Sequence, residues 1–121
     1  MALEIHTRNE AGTVRLALAG ELDTTTAPEL DAAVDAAVTA DTRNLVMDLS
    51  QLEFVSSAGL RVFAKAQKTM RVQEGRSFFV HPTDQVRRVF EFVQAVKLSD
   101  VFENEADLDS HLVTIQSPPG S

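Results

Sequence analysis

Strand-type and helix-type patterns alternate along this 121-residue chain, and that alternation is the strongest constraint on its fold. The predicted strands are residues 3–7, 13–20, 45–49, 77–81 and a last short one within 96–102. The predicted helices open near Pro28, run from Ser57 to about Glu74, open again at Pro82 and Thr83, and cover residues 105–112. Strands alternating with helices imply right-handed crossovers and a partly parallel sheet. We therefore predict one α/β domain over residues 1–115, followed by a disordered tail over 116–121.

The first two predicted strands join through turn residues around Gly12, so they form an antiparallel hairpin and make the sheet mixed. Residues 45–49 form a compact apolar run, which favours a central strand. We interpret residues 50–55 as a short connection and Thr24–Thr26 as a polar loop that caps the first helix. About four helices pack on this sheet.

The composition excludes several classes of protein. The chain has no cysteine, which excludes a disulfide framework, a thiolate metal site and a cysteine nucleophile. It has no apolar run near the roughly 18–20 residues of a membrane span, and its start does not resemble a secretory signal. A net charge of −7 argues against general nucleic-acid binding. We expect a cytoplasmic protein with neither nucleic acid nor membrane as partner.

The charge is distributed unevenly along the chain. Residues 1–55 hold ten acids and three bases, for a net −7. Residues 56–98 hold three acids and eight bases, for a net +5, and residues 99–121 hold five acids and no base, for a net −5. The middle of the chain is therefore basic although the whole is acidic.

The residues that could perform catalysis are few. The chain has neither a dinucleotide-binding glycine motif nor a phosphate-binding loop motif, and its three histidines lie on separate predicted elements. Ser57 does not fit a nucleophile elbow, because Val55 stands where that motif needs glycine. A small hydrolase or nucleotide-hydrolysing enzyme is therefore the least favoured interpretation, and we expect no metal and no cofactor.

The junction between residues 54 and 60 places two adjacent hydroxyls where a loop becomes a helix. One interpretation is capping, since serine is a preferred N-cap. The other is a phosphorylation site, because free amides and the helix dipole stabilise an anion there. At 100° per residue, one helix face carries Ser57 together with Arg61, Lys65, Lys68 and Arg71. That face is either simply solvated or able to pair with a phosphate through Arg61.

Three segments resemble the STAS family, and in particular bacterial anti-sigma factor antagonists: residues 20–30, 45–50 and 54–60. The resemblance extends over about residues 3–113. The family's core motif reads Asp-Ser-Ser/Ala-Gly-Leu, which places its phosphoacceptor serine on Ser57, followed by Ala58 and Gly59. Its acidic position falls on Ser56, which is thereby a second candidate acceptor. Asp23, with Thr24, matches the acidic loop that faces the partner, and Asp48 and Ser50 match the motif at the strand end beneath the phosphorylation site.

The resemblance implies a non-enzymatic domain that works by partner switching. Unphosphorylated, such a domain binds an anti-sigma factor that is also a serine kinase, and thereby releases the sigma factor. Phosphorylation ends the binding, and a metal-dependent serine phosphatase restores it. The partner-binding residues implied here are Asp23, Thr24, Asp48, Ser50, Ser56, Ala58, Gly59 and Arg61. We expect a monomer when free.

A second interpretation keeps the fold but changes the function. STAS domains also serve as subunits of sensory, transporter and lipid-transport complexes, without a phosphoswitch. Retention of Ser57 favours the switch, whereas Ser56 in place of the usual aspartate keeps this alternative open.

Overall fold

A computed structural model of the chain describes residues 2–93 and 101–102. Across these residues the chain forms five strands and three helices in the order β-β-α-β-α-β-α-β. The strands are β1 (Leu3–Glu10), β2 (Thr13–Leu22), β3 (Asn44–Val55), β4 (Arg76–Val80) and β5 (Val101–Phe102), and the helices are α1 (Ala27–Ala37), α2 (Ser57–Val72) and α3 (Asp84–Val93).

The five strands form one mixed sheet in the spatial order of the sequence, β1-β2-β3-β4-β5. Strand β1 pairs antiparallel with β2, from Leu3 opposite Gly20 to Glu10 opposite Thr13. The remaining pairs are parallel. The predicted α/β domain with an initial hairpin and helical crossovers is therefore confirmed.

The three helices share one hydrophobic core with one face of the sheet. Residues opposite each other on paired strands point to the same face, so Val14, Leu16 and their partners Leu45 and Met47 lie together beneath the helices. At the centre the rings of Phe63, Phe79 and Phe90 meet at tilted and edge-on angles, with centroids 5.0–5.9 Å apart. A second buried group, Val46, Phe78 and Val80, points to the opposite face.

Strand β3 is longer than predicted, because residues 50–55 are strand and not a connection. They continue the parallel pairing with β2 up to Leu22 opposite Val55. Two shifts of register interrupt this pairing, and each inserts one extra residue into β3. Because each shift changes which residues face the core, the stretch lacks the simple alternation that predicts a strand.

Helix α2 begins at Ser57, as predicted, and ends at Val72, two residues before the predicted end. Its predicted core face is confirmed, since Leu60, Phe63, Ala66 and Met70 are all buried. The predicted helix at 105–112, residues 96–100 of the last predicted strand and the tail 116–121 lie outside the described residues. Within the described part of the chain, no helix is long and apolar enough to cross a membrane.

Candidate functional site

The candidate site lies where strands β2 and β3 end and helix α2 begins. The Ser56 amide donates a hydrogen bond of 2.8 Å to the carbonyl of Leu22, the last residue of β2. The Leu60 amide then donates to the Ser56 carbonyl at 3.0 Å and opens α2. The amide and the carbonyl of Ser56 are thus both hydrogen-bonded, one to the sheet and one to the helix, and these bonds fix the position of the two serines.

The two serines have different roles in the local structure. Ser56 is the N-cap of α2: its backbone is extended, and its Oγ accepts a hydrogen bond from the Gly59 amide at 3.4 Å. Ser57 is the first residue of the helix and is exposed, whereas Ser56 is half-buried. Among the described residues, the Ser57 hydroxyl has no hydrogen-bond partner in the structure. The capping interpretation therefore applies to Ser56, and the accessible hydroxyl is that of Ser57.

Gly59 allows the start of α2 to lie against the ends of the two strands. A Cβ at this position would lie 2.6 Å from Leu22 Cγ and 2.9 Å from Val55 Cγ2, closer than real side chains approach. Leu22 and Val55 are themselves buried and paired across β2 and β3. The absence of a side chain at Gly59 thus sets the distance between the helix start and the sheet.

The loop between β2 and α1 is held by a reciprocal pair of hydrogen bonds. The Thr26 amide donates to Asp23 Oδ1 at 2.9 Å, and the Asp23 amide donates to Thr26 Oγ1 at 2.9 Å. The Thr25 amide also donates to Asp23 Oδ1, and the Ala27 amide donates to the Asp23 carbonyl. This reciprocal pair has the geometry of a capping box one turn before α1. The N-cap residue of α1 is Thr26, in the predicted loop, but its side chain forms no capping hydrogen bond to the helix.

These hydrogen bonds affect the titration of Asp23. The Thr26 amide stabilises the carboxylate and lowers the pKa of Asp23 below its ordinary value of 3.8, with the Thr26 hydroxyl and the Thr25 amide acting in the same direction. Asp23 is therefore ionised near neutral pH. The Leu22 carbonyl accepts a hydrogen bond from the Ser56 amide, so the Asp23 carboxylate lies on the segment next to the serines. Thr24 is exposed beside Asp23.

Asp48 and Ser50 lie away from this cluster, so their predicted position beneath the phosphorylation site is wrong. Asp48 lies eight residues before Ser56 on β3, opposite Ala17 and Val80. At about 3.3 Å per residue, this is at most about 26 Å along the strand. The Ser50 amide donates to Asp48 Oδ1 at 3.0 Å, which stabilises the first register shift of β3. The predicted positions of Asp48 and Ser50 are wrong because the predicted strand ends at Leu49, whereas β3 continues to Val55.

The predicted basic face of α2 is only partly a free surface. Lys65 Nζ contacts both carboxylate oxygens of Asp31 on α1, at 2.9 and 3.1 Å. Asp31, with a further contribution from Asp35, raises the pKa of Lys65 above its ordinary 10.5. Lys65 thus forms an ion pair between α2 and α1. Arg61 is exposed one helical turn after Ser57, and among the described residues it forms no ion pair.

Sequence reasoning did not identify two features of the site. Thr26 is buried, and its Oγ1 lies 2.8 Å from the Glu21 carbonyl and 3.2 Å from Asp23 Oδ1. The spacing Asp-x-x-Thr is the signal that could have found it. Phe54 is 42% exposed beside the serines, although an aromatic residue in a strand is normally expected in the core. No local pattern indicated its exposure, since it depends on the register of β3.

The junction combines an exposed hydroxyl with charged side chains of both signs. Ser57 offers an exposed hydroxyl, Glu21, Asp23 and Glu53 supply acids, and Arg61 supplies a base. Within the described ranges, no three histidine or acidic side chains group as a metal site would need.

Known proteins with similar sequences and structures agree with this architecture. BtrV of Bordetella bronchiseptica, provisionally assigned as an anti-sigma factor antagonist, is 36% identical to this chain over 74 residues. The match covers 61% of this chain and 64% of that protein, slightly less than two thirds of its length. The anti-sigma-B factor antagonist of Listeria monocytogenes is 29% identical over 103 residues, which cover 85% of this chain and 87% of that protein.

A solved structure and a family match extend this comparison. The crystal structure of an anti-sigma factor antagonist from Mycobacterium paratuberculosis superimposes with a TM-score of 0.78 at 26% identity, and the match covers 96% of each chain. The STAS domain family matches residues 3–108, from the first residue of β1 to beyond β5. With the sheet order, the helical crossovers and the sequence match in agreement, the chain belongs to the STAS domain family.

Proposed function

We propose that this protein is an anti-sigma factor antagonist that works by partner switching at Ser57. The unphosphorylated form binds an anti-sigma factor that is a serine kinase, and so releases the sigma factor. Phosphorylation of Ser57 ends that binding, and a metal-dependent serine phosphatase restores it. Relatives that are anti-sigma factor antagonists support the general role. The observation that carries the choice of residue is that Ser57 is exposed, while Ser56 is engaged as the N-cap of α2.

The surface that we propose for the partner is built from three segments that meet at the junction. The first is the loop with Asp23 and Thr24, the second is the end of β3 with Ser56, and the third is the first turn of α2 with Ala58, Gly59 and Arg61. Gly59 contributes indirectly, because it is buried against Leu22 and sets the position of the helix start. We leave Asp48 and Ser50 out of this surface, since they lie too far back along β3.

A phosphate on Ser57 would oppose the contact in three ways. It adds roughly −1.5 to −2 charges and considerable bulk at the centre of the surface. Burying that charge without a partner costs several kcal/mol, and each 1.4 kcal/mol is about tenfold in affinity. The neighbouring carboxylates of Glu21 and Asp23 add repulsion within the same surface, which Arg61 offsets in part. The backbone of the domain need not move.

The test is incubation with candidate anti-sigma serine kinases and ATP, followed by mapping of the phosphorylated residue. We expect phosphate on Ser57, lost in Ser57→Ala and retained in the matched control Ser56→Ala. Phosphate on Ser56 alone would refute the assignment of the residue. Phosphorylation by none of the kinases, together with no binding, would favour a STAS subunit of a sensory, transporter or lipid-transport complex.

The electrostatic part of the proposal needs a separate test. Ser57→Asp should weaken binding to the kinase at least tenfold. Ser50→Asp is the matched control, because it adds the same charge to an exposed serine that lies on β3, away from the junction. Equal affinities of the Ser57→Asp variant and the wild type would contradict the switch mechanism. Arg61→Ala tests in the same assay whether this base contributes.

A further inference from the structure

The pairing of β3 with β2 places one aromatic side chain outside the core, next to the serines. Gly20 lies opposite Leu52 and Glu21 lies opposite Phe54, so Glu53 is an extra residue in β3. A strand without this bulge would alternate from the buried Leu52 through Glu53 and return Phe54 to the core. With the bulge, Glu53 and Phe54 are both exposed and Val55 returns to the core.

Phe54 differs in exposure from the four phenylalanines of the described core, and shares its exposure with Phe92 on α3. Phe63, Phe78, Phe79 and Phe90 are each at most 2% exposed, whereas Phe54 is 42% exposed. A bulge disrupts the strand ladder locally, and bulges are frequent beside functional sites, where they redirect a side chain. Phe54 precedes Ser56 by two residues, about 7 Å along extended backbone. The bulge therefore turns an aromatic ring outward next to the proposed phosphorylation site.

The charges around this ring indicate the kind of surface that it fits. Glu21, its partner on β2, lies beside it, Glu53 precedes it, and Asp23 lies on the adjoining loop. An aromatic residue with acids at neighbouring positions is complementary to an apolar pocket edged by lysine or arginine side chains. Aromatic residues that fill such pockets contribute a large share of the affinity at protein interfaces.

We propose that Phe54 is the apolar anchor of the partner-binding surface, and that it inserts into an apolar pocket with a basic rim on the anti-sigma serine kinase. This inference rests on the proposed function and identifies the chemistry of the partner's surface. A phosphate on Ser57 would keep the partner away from Phe54 by its bulk and hydration shell. The anchor should therefore contribute to binding only in the unphosphorylated state.

The test compares the affinities of Phe54→Ala and wild type for a kinase that binds the wild type. About 80 Å² of an aromatic side chain of roughly 200 Å² is available at 42% exposure, and at about 25 cal/mol per Å² its burial corresponds to about thirtyfold in affinity. We expect a loss of about this size for Phe54→Ala. Phe92→Ala is the matched control, since Phe92 is 90% exposed on α3, and its affinity should stay within twofold of the wild type.

Two further measurements keep the outcome decisive. In the Ser57→Asp background, Phe54→Ala should change the residual affinity by less than twofold, because the ring no longer reaches its pocket. If Phe54→Ala does not fold, oxidative footprinting of the wild-type complex should show protection of Phe54 and none of Phe92. Wild-type binding with an unchanged Phe54→Ala affinity, or an unprotected Phe54, would overturn the anchor and leave the switch at Ser57 standing. Failure of the wild type to bind any kinase would refute the proposed function itself.

Discussion

Replacing Gly59 by alanine tests whether close contact between α2 and the two central strands sets the geometry of the site. The added Cβ would lie 2.6 Å from Leu22 Cγ, 2.7 Å from Leu22 Cδ2 and 2.9 Å from Val55 Cγ2. Leu22 is fully buried and Val55 nearly so, which leaves little space for either to move. The start of the helix should therefore shift away from the sheet.

The magnitude follows from two opposing effects. Overpacking of a core costs about 1–3 kcal/mol, whereas alanine is favoured over glycine inside a helix by up to about 1 kcal/mol. We expect Gly59→Ala to lower the free energy of unfolding by about 1–2 kcal/mol, which for a domain of this size lowers Tm by roughly 3–8 °C. Urea denaturation and thermal unfolding both measure this change.

A second background identifies the cause. Leu22→Ala removes the side chain that the new Cβ meets first, so the cost of Gly59→Ala should fall by about 1 kcal/mol or more in that background. A rise in Tm for Gly59→Ala in the otherwise wild-type chain, as helix propensity alone would predict, would refute a steric conflict at this position. The steric conflict is also refuted if the cost is the same in both backgrounds.

Three other perturbations probe the same region. Ser56→Ala removes the N-cap of α2 and should lower the free energy of unfolding by about 0.5–1 kcal/mol in urea denaturation, whereas Ser57→Ala should leave it nearly unchanged. Asp23→Ala should lower Tm near neutral pH. Because the folded-state pKa of Asp23 lies below 3.8, the difference in Tm from wild type should be lost as the pH falls through that lowered pKa. A difference in Tm that stays constant with pH would contradict this prediction. Lys65→Met should lower Tm slightly at neutral pH through loss of the Asp31 contact. Since the folded-state pKa of Lys65 lies above 10.5, this difference should vanish only as the pH rises through that raised pKa, as pH-dependent melting would show.

Local sequence patterns predicted most of the fold, because its helices and central strands have simple periodicity. Leu60, Phe63, Ala66 and Met70 recur at helical spacing, and all four are buried. The end of β3 could not be predicted in this way. Its two register shifts are determined by the pairing with β2, which lies about thirty residues earlier in the chain, and not by neighbouring residues.

The same distinction between local and long-range interactions applies to the site. A hydroxyl at a helix start was visible in the sequence, and so was the choice between Ser56 and Ser57. The contact of Gly59 with Leu22 and the ion pair of Lys65 with Asp31 join segments more than thirty residues apart. Such contacts arise only when the crossovers bring α1, α2 and the sheet together, so no local pattern reports them.

The hydrogen bond from the Ser56 amide to the Leu22 carbonyl has a consequence for the timing of the proposed signal. It extends the ladder between β2 and β3 and so holds the backbone before Ser57 in a fixed arrangement. If phosphorylation leaves this hydrogen bond intact, the signal involves no change in backbone conformation. The state of the domain would be recorded only in the covalent bond to phosphate. Such a switch has no conformational relaxation of its own, so its response time is set by the turnover of the kinase and the phosphatase.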